Sequence, residues 1–182
     1  MTRYFYSLLL AISVAFIPVS VLAQEQVASA EQGEQEANAP DPLTEEEMEV
    51  LVARIALYPD ELVALISGAS HYPLQIVEAA RFLDDYEQDK SLEPKDSWDG
   101  SVISLLNYPE IVRMMSDDLE WTQALASALA FQQTDLLIAI QQLREEAVAE
   151  GIIETDEKME VVKEDDNVVI KSASPEVIYV PQ

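Results

Sequence analysis

Carboxylates beside predicted helix starts are the side chains of this chain best suited to chemistry. Asp60 follows a Tyr-Pro pair, and Asp118 precedes an apolar helical pattern. A glycoside hydrolase needs two carboxyl groups roughly 5–10 Å apart, and Trp98 and Trp121 would suit stacking on sugar rings. The structural interpretation of these residues is stronger, because the helix dipole favours acids in a first turn and tryptophans at helical spacing are usually core anchors. We therefore predict no catalytic residue and keep a carboxylate-based hydrolase or glycan binder as the alternative.

His71 is the single histidine, and the chain has no cysteine. These two facts exclude a histidine-rich metal site and the usual tetrahedral zinc site. A Ser-His-Asp arrangement lacks the Gly-x-Ser-x-Gly and Ser-x-x-Lys motifs that would support it. We expect His71 at a helix end or at the surface, and we predict no metal site and no cofactor.

An acidic run after residue 84 loosely follows the spacing of an EF-hand calcium loop. The candidate ligands are Asp85, Glu87, Asp89, Ser91 and Asp96. Lys90 stands where the motif needs glycine, and Asp96 replaces the bidentate glutamate. A solvated acidic loop is the better interpretation, and the spacing alone leaves calcium binding undecided.

The charge of the chain restricts its partners. It carries 35 acidic and 10 basic residues for a formal charge of −25, and no Lys or Arg occurs between Arg3 and Arg54. Such a surface repels phosphate backbones and anionic lipids, so we expect no nucleic-acid binding. It attracts cations or basic partners in a salt-dependent way, although solubility explains most of the charge.

Residues 1–23 have the layout of a secretory signal peptide. Arg3 precedes an apolar run, Pro18 interrupts it, and Ala23 ends a small-residue cleavage site. An uncleaved membrane anchor is the alternative, but Pro18 and the polar stretch after Ala23 favour cleavage. We expect a periplasmic or secreted protein with no transmembrane span after signal removal. Without cysteine it can be neither disulfide-bonded nor a lipoprotein.

The rest of the chain predicts a mainly α-helical fold, a compact bundle of seven or eight short helices with a small C-terminal β-meander. Residues 24–42 are a flexible acidic leader, since they hold almost no large apolar side chain. The helical domain covers residues 43–151 and begins with a capping box of Thr44 and Glu47. Three further helices open at Tyr-Pro pairs, because proline suits the first helical turn. These pairs are Tyr58-Pro59, Tyr72-Pro73 and Tyr108-Pro109.

Loop and strand boundaries follow from the same patterns. Asp84–Ser97 is predicted as a polar loop, Thr134 as the cap of the last helix, and Gly151 as its end. Residues 152–182 form a β-meander that must dock on the helices, because so small a sheet is marginal alone. Its predicted strands are Met159–Glu164, Val168–Lys171 and Val177–Val180.

Several short motifs, in order from Ile55 to Pro181, resemble a bacterial exported family catalogued as domain of unknown function 3300. The motifs are Ala56-Leu57-Tyr58-Pro59-Asp60, Tyr72-Pro73-Leu74, Glu78-Ala79-Ala80-Arg81, Trp98-Asp99 with Ser101-Val102, Met114-Met115-Ser116, Asp118-Leu119 with Trp121-Thr122, Gln142-Leu143-Arg144 and Val177-Ile178-Tyr179-Val180-Pro181. The resemblance implies an envelope protein of Gram-negative bacteria without an assigned activity. Gly100 stands where the family favours proline, and family members usually continue into a long, biased tail.

Together these observations predict a non-enzymatic periplasmic or envelope interaction domain that binds an envelope protein. The last strand would offer its edge to that partner, although Pro181 equally suits protection of the edge. The alternative is a carboxylate-based hydrolase or binder of envelope glycans. The candidate surface positions are Tyr58, Pro59, Asp60, Tyr72, Pro73, Trp98, Asp99, Asp118 and Trp121.

Overall fold

The computed structural model describes residues 40–173, which form seven helices and one β-hairpin. The mainly helical class with a small β-element is therefore confirmed. The predicted signal peptide, most of the leader and the strand predicted at Val177–Val180 lie outside the described residues. The elements are α1 (Glu45–Val52), α2 (Asp60–Ser70), α3 (Pro73–Gln88), α4 (Gly100–Leu105), α5 (Pro109–Asp117), α6 (Leu119–Phe131), α7 (Gln133–Ala149), β1 (Met159–Glu164) and β2 (Asn167–Ser172).

Helix starts follow the predicted signals closely. The Thr44 hydroxyl accepts the Glu47 amide at 3.3 Å, and the Glu47 carboxylate accepts the Thr44 amide at 2.9 Å. That backbone bond is the main cause of the lowered pKa of Glu47. Pro73 and Pro109 occupy the first turns of α3 and α5, and Pro59 is the N-cap of α2. The capping box and the Tyr-Pro helix starts are confirmed.

The predicted loop at Asp84–Ser97 is wrong in its first part, since α3 continues to Gln88. Two contacts hold this extra turn. The rings of Phe82 and Tyr86 stack with centroids 5.6 Å apart. Arg113 of α5 donates to Asp84 at 3.2 Å and to Glu87 at 2.9 Å. The first part of the EF-hand-like spacing is therefore helical.

The boundary between α6 and α7 also differs from the prediction. Gln132, not Thr134, is the N-cap of α7, and its side chain does not cap the helix. The side-chain amide of Gln132 instead bonds to the backbone of Leu43. Its oxygen accepts the Leu43 N–H at 2.8 Å, and its nitrogen donates to the Leu43 carbonyl at 3.0 Å. The residue at the boundary between α6 and α7 therefore contacts a residue 89 positions away in the sequence. Local sequence propensity cannot show such a contact.

Two apolar clusters stabilise the described residues. The larger one is shared by all seven helices and includes the fully buried Val52, Leu62 and Leu125. The smaller one lies between the end of α7 and the hairpin, and contains Ala147, Ile153, Met159, Val168 and Ile170. No helix within residues 40–173 is long and apolar enough to cross a membrane.

The hairpin is antiparallel and turns at Asp165 and Asp166, which have φ values of 46° and 70°. Positive φ at both positions is the geometry of a two-residue type I′ turn. The outer edge of β1 is already occupied by its own chain. The Val161 amide donates to the Thr155 hydroxyl at 2.9 Å, and the Asp156 amide donates to the Met159 carbonyl at 2.9 Å. A partner strand therefore cannot add to β1 at these positions without displacing residues 155–156.

Gly151 and Gly100 provide a matched test of helix-end geometry. A Cβ at either glycine would meet no atom within 4 Å, but only Gly151 has a positive φ, of 70°. We expect Gly151→Ala to lower the free energy of unfolding by about 1–2 kcal/mol, because an L residue is strained in this region. Gly100→Ala, in the first turn of α4, should be neutral or stabilise by up to about 1 kcal/mol. Urea denaturation of both variants measures the difference, and equal effects would contradict a backbone origin.

Candidate functional site

The nine predicted surface positions do not form one site. They separate into three places, each with its own charged partner: Tyr58, Pro59 and Asp60 with Arg144; Tyr72, Pro73, Trp98 and Asp99 with Glu78; and Asp118 and Trp121 with Arg54.

Arg144 on α7 is the most enclosed charged side chain in the described chain, with 3% of its surface exposed. Its Nε donates to the Ala56 carbonyl at 2.7 Å, and its two terminal nitrogens donate to Asp60 at 2.6 Å, Val168 at 3.0 Å and Tyr58 at 3.1 Å. The guanidinium thus joins the α1–α2 connection, the start of α2 and the hairpin. Every one of its nitrogens has an oxygen partner, as a buried charge requires.

Asp60 serves this cluster as a counterion. Its carboxylate is 44% exposed on the side chain, so water and Arg144 share it. The neighbouring Tyr58 ring is half-buried, and burial together with the charge of Glu110 raises the pKa of its hydroxyl. The residues at this place fix chain connections, and within residues 40–173 no second carboxylate forms an ion pair with Arg144.

The sequence places Arg144 in one of the family motifs, but the motif alone does not predict it as a site residue. A signal was present in the helical pattern. Arg144 lies four residues after Ile140 and three before Ala147, within the stripe of α7 that faces the core. A charged residue on an apolar stripe is a candidate for a buried, paired group.

Asp118 and Trp121 hold the start of α6. The Asp118 carboxylate accepts the Trp121 amide at 3.0 Å and pairs with Arg54 at 2.9 Å. The first of these bonds is the main cause of the lowered pKa of Asp118. The indole N–H of Trp121 donates to the Leu51 carbonyl at 2.8 Å, and only 7% of the residue is exposed. Trp121 is therefore a core anchor that joins α6 to α1, and its ring is closed to a sugar.

Tyr72, Pro73 and Trp98 line an open groove of about 450 Å³. Trp98 is 6% exposed, and its indole N–H donates to Glu78 at 2.9 Å. Hydrogen bonds from Lys95 and then Trp98 lower the pKa of Glu78. The groove thus contains an exposed tyrosine and one carboxylate, Glu78, that is already hydrogen-bonded. These two groups are poorly suited to general acid–base catalysis.

Asp99 caps α4 beside the groove. Its carboxylate accepts the Ser101 hydroxyl at 2.6 Å and the Ser101 amide at 2.9 Å. The hydroxyl bond is the first cause of the lowered pKa of Asp99. The Asp99 amide donates to Gln75 at 2.7 Å, which ties the cap to α3. Asp99 therefore has the capping role expected of an aspartate at a helix start.

The arrangement does not pair the two acids best suited to the glycosidase alternative. Asp60 and Asp118 belong to separate clusters, and each pairs with an arginine. His71 is exposed at the end of α2, as expected, and lies at the groove. Within residues 40–173, no three His, Asp or Glu side chains converge to hold a metal ion.

Replacing Arg144 by Met should lower the free energy of unfolding by about 3–5 kcal/mol. The apolar side chain would remove the donor that the buried Ala56 carbonyl and the partly buried Tyr58 carbonyl obtain from Arg144. The matched control is Arg113→Met, because the Arg113 pairs with Asp84 and Glu87 are exposed to solvent and should contribute far less to stability. Chemical denaturation compares the two variants, and a similar loss in both would contradict the role of the buried guanidinium.

Asp118 should make the stability of the protein depend on acid pH. Because its folded-state pKa is lowered, its contribution is present above the ordinary aspartate pKa of about 4 and is lost as the pH falls through the folded value. Asp118→Asn keeps a capping oxygen but loses the charge. The stability difference between wild type and Asp118→Asn should be constant near neutral pH and shrink below about pH 4. A stability difference that is independent of pH would refute the assignment.

Comparison with known proteins places the chain without giving it an activity. One relative is a protein of Escherichia coli (strain K12) described as "Uncharacterized protein YacH", which is 30% identical over 116 residues. The aligned region covers 61% of this chain and 19% of the relative, so the chain spans well under two thirds of that protein's length. No solved structure matches. The family described as "Protein of unknown function (DUF3300)" matches residues 44–182. Since this is more than half of the chain, the protein belongs to the DUF3300 family.

Proposed function

We propose that this protein is an exported, non-enzymatic interaction domain of the Gram-negative envelope. One observation carries the non-enzymatic part. The polar groups best suited to chemistry are engaged inside the protein: Asp60 pairs with Arg144, Asp118 caps α6, and both tryptophan N–H groups have acceptors. Groups held in this way stabilise the fold and are not free to act on a substrate.

The location of the domain is supported by residues 1–23, whose charge, apolar run and small-residue end are those of a cleaved signal. Because the sequence has no cysteine, an exported domain would depend on packing and not on disulfides for its stability. The similarity to an Escherichia coli protein agrees with a Gram-negative setting.

Binding of envelope glycans, the alternative function, has weaker support. Its best location is the groove with Tyr72, whose ring is 39% exposed and could stack on a sugar. Hydrolysis there would require a second carboxylate opposite Glu78, and Glu78 itself already accepts bonds from Lys95 and Trp98. The groove therefore supports binding better than catalysis.

The proposal is tested by expressing the tagged full chain in Escherichia coli and fractionating the cells. We expect periplasmic protein whose intact mass corresponds to a start at Gln24. The matched control is Leu9→Arg, which places a charge in the apolar run and should keep the uncleaved chain out of the periplasm. Crosslinking in living cells should then recover one envelope protein above an unrelated acidic periplasmic control. Uncleaved wild-type protein in the cytoplasm would contradict export, and an empty crosslink would contradict the interaction function.

A further inference from the structure

The outer face of α7 carries two adjacent apolar side chains that the described chain leaves about half exposed. Leu137 and Ile138 are each 52% exposed. Their neighbours Leu136, Ala139 and Ile140 are buried and already supply the contact of α7 with the core. Leu137 and Ile138 are thus not needed to hold the helix in place.

Two surface grooves flank these residues and share Ile138 and Gln142. One groove, of about 120 Å³, lies between the start of α1 and α7 and includes Met48 in its lining. The other, of about 420 Å³, lies between α7 and the hairpin turn at Asp166. We call Leu137, Ile138 and these two grooves the docking face. Exposed apolar side chains that line adjoining grooves form a surface on which another helix can pack.

The rim of the docking face is acidic. Glu45 and Asp135 line the first groove, and Glu145 and Asp166 line the second. No Lys or Arg occurs among the described residues that line either groove. Of the four carboxylates, only Asp166 has an ion pair with a described cation, Lys163, at 3.8 Å. The remaining negative charge around the apolar centre is therefore uncompensated.

Gln142 adds an unused acceptor at the point where the grooves meet. Its amide nitrogen donates to Glu45 at 2.9 Å, while its buried Oε1 has no donor among residues 40–173. A buried acceptor without a donor costs free energy, so its persistence in a native structure requires an explanation. A donor from water or from a bound partner would satisfy it.

We propose that the docking face binds a basic amphipathic segment of a partner protein, with apolar side chains on Leu137 and Ile138 and Lys or Arg side chains facing Glu45, Asp135, Glu145 and Asp166. This inference rests on the proposed interaction function and names the chemistry of the partner. Charge selects this occupant over a second copy of the chain, because two such faces would bring like carboxylates together in a chain of charge −25. An anionic membrane is repelled for the same reason.

The test uses the expressed chain, purified with the N terminus that the host leaves, and three labelled peptides of about 18 residues. The first places Leu on one helical face and Lys on the other, the second has Glu in place of Lys, and the third has the composition of the first in scrambled order. Fluorescence anisotropy should show binding of the first peptide, weaker binding of the scrambled one and none of the Glu peptide. Raising NaCl from about 50 mM to about 500 mM should weaken binding of the first.

Variants locate the contact. Leu137→Ser combined with Ile138→Ser should weaken binding of the Leu/Lys peptide about tenfold or more, since both apolar anchors are lost. The matched control is Leu74→Ser on α3. Leu74 is 81% exposed and lies at the groove with Tyr72, outside the docking face. The affinity of this variant for the peptide should stay within about twofold of wild type. Thermal unfolding followed by circular dichroism checks that both variants fold. Unchanged affinity in the double variant, or equal binding of the scrambled peptide, would overturn the docking face.

Repeating the cell crosslink with the double variant separates this inference from the proposed function. Loss of the captured partner in the double variant but not in Leu74→Ser supports the docking face. A partner that both variants capture would leave the interaction function standing and overturn the docking face. A chain that stays in the cytoplasm, yet binds the Leu/Lys peptide through Leu137 and Ile138, would overturn export and leave the docking face standing.

Discussion

The buried guanidinium of Arg144 is the constraint on which the arrangement of this domain depends. It bonds to oxygens of Ala56, Tyr58, Asp60 and Val168, which belong to two separate pieces of chain, residues 56–60 and the hairpin. Removing a charge from water costs several kcal/mol, and the attraction of one partly exposed carboxylate offsets only part of that cost. The remaining compensation comes from three backbone carbonyls, one of which, that of Val168, also accepts from Gln141. The arginine therefore specifies where these pieces meet more than it adds net stability.

The contacts of Arg144 also determine where the hairpin lies on the helical domain. An isolated two-stranded hairpin is marginal in water, so β1 and β2 need an external attachment. They obtain it from the small apolar cluster around Ile170 and from two side chains one turn apart on α7, Gln141 and Arg144, which both bond to the Val168 backbone. The hairpin turn is thereby held beside the outer face of α7. The acidic residue Asp166 and the apolar residue Ile138 then become parts of one surface, although 28 residues of chain separate them.

Local signals in the sequence predicted the local features of the fold. The Thr44–Glu47 capping box, the proline helix starts and the Gly151 helix end each depend on a few neighbouring residues, and the structure has all three. The errors involve distant contacts. Asp84 is helical and pairs with Arg113 across 29 residues, and Gln132, whose side chain bonds to Leu43, is the N-cap in place of Thr134. Periodicity indicates that a residue faces inward, but it cannot name the partner that a buried charge such as Arg144 will find.

The same distinction explains why residues that suggested chemistry did not form an active site. A carboxylate at a helix start is stabilised by free amides and by the helix dipole, so such acids accumulate for structural reasons. Asp99 and Asp118 act in this way, and their lowered pKa values keep them ionised and acceptor-only. A general acid requires the opposite environment, apolar and without donors. The acids around Leu137 and Ile138 are placed differently. Glu45 and Asp135 lie in the first turns of α1 and α7, where the helix dipole favours them, while Glu145 and Asp166 line the second groove. All four surround an apolar surface, and their physical effect there is to favour a cationic ligand over an anionic one.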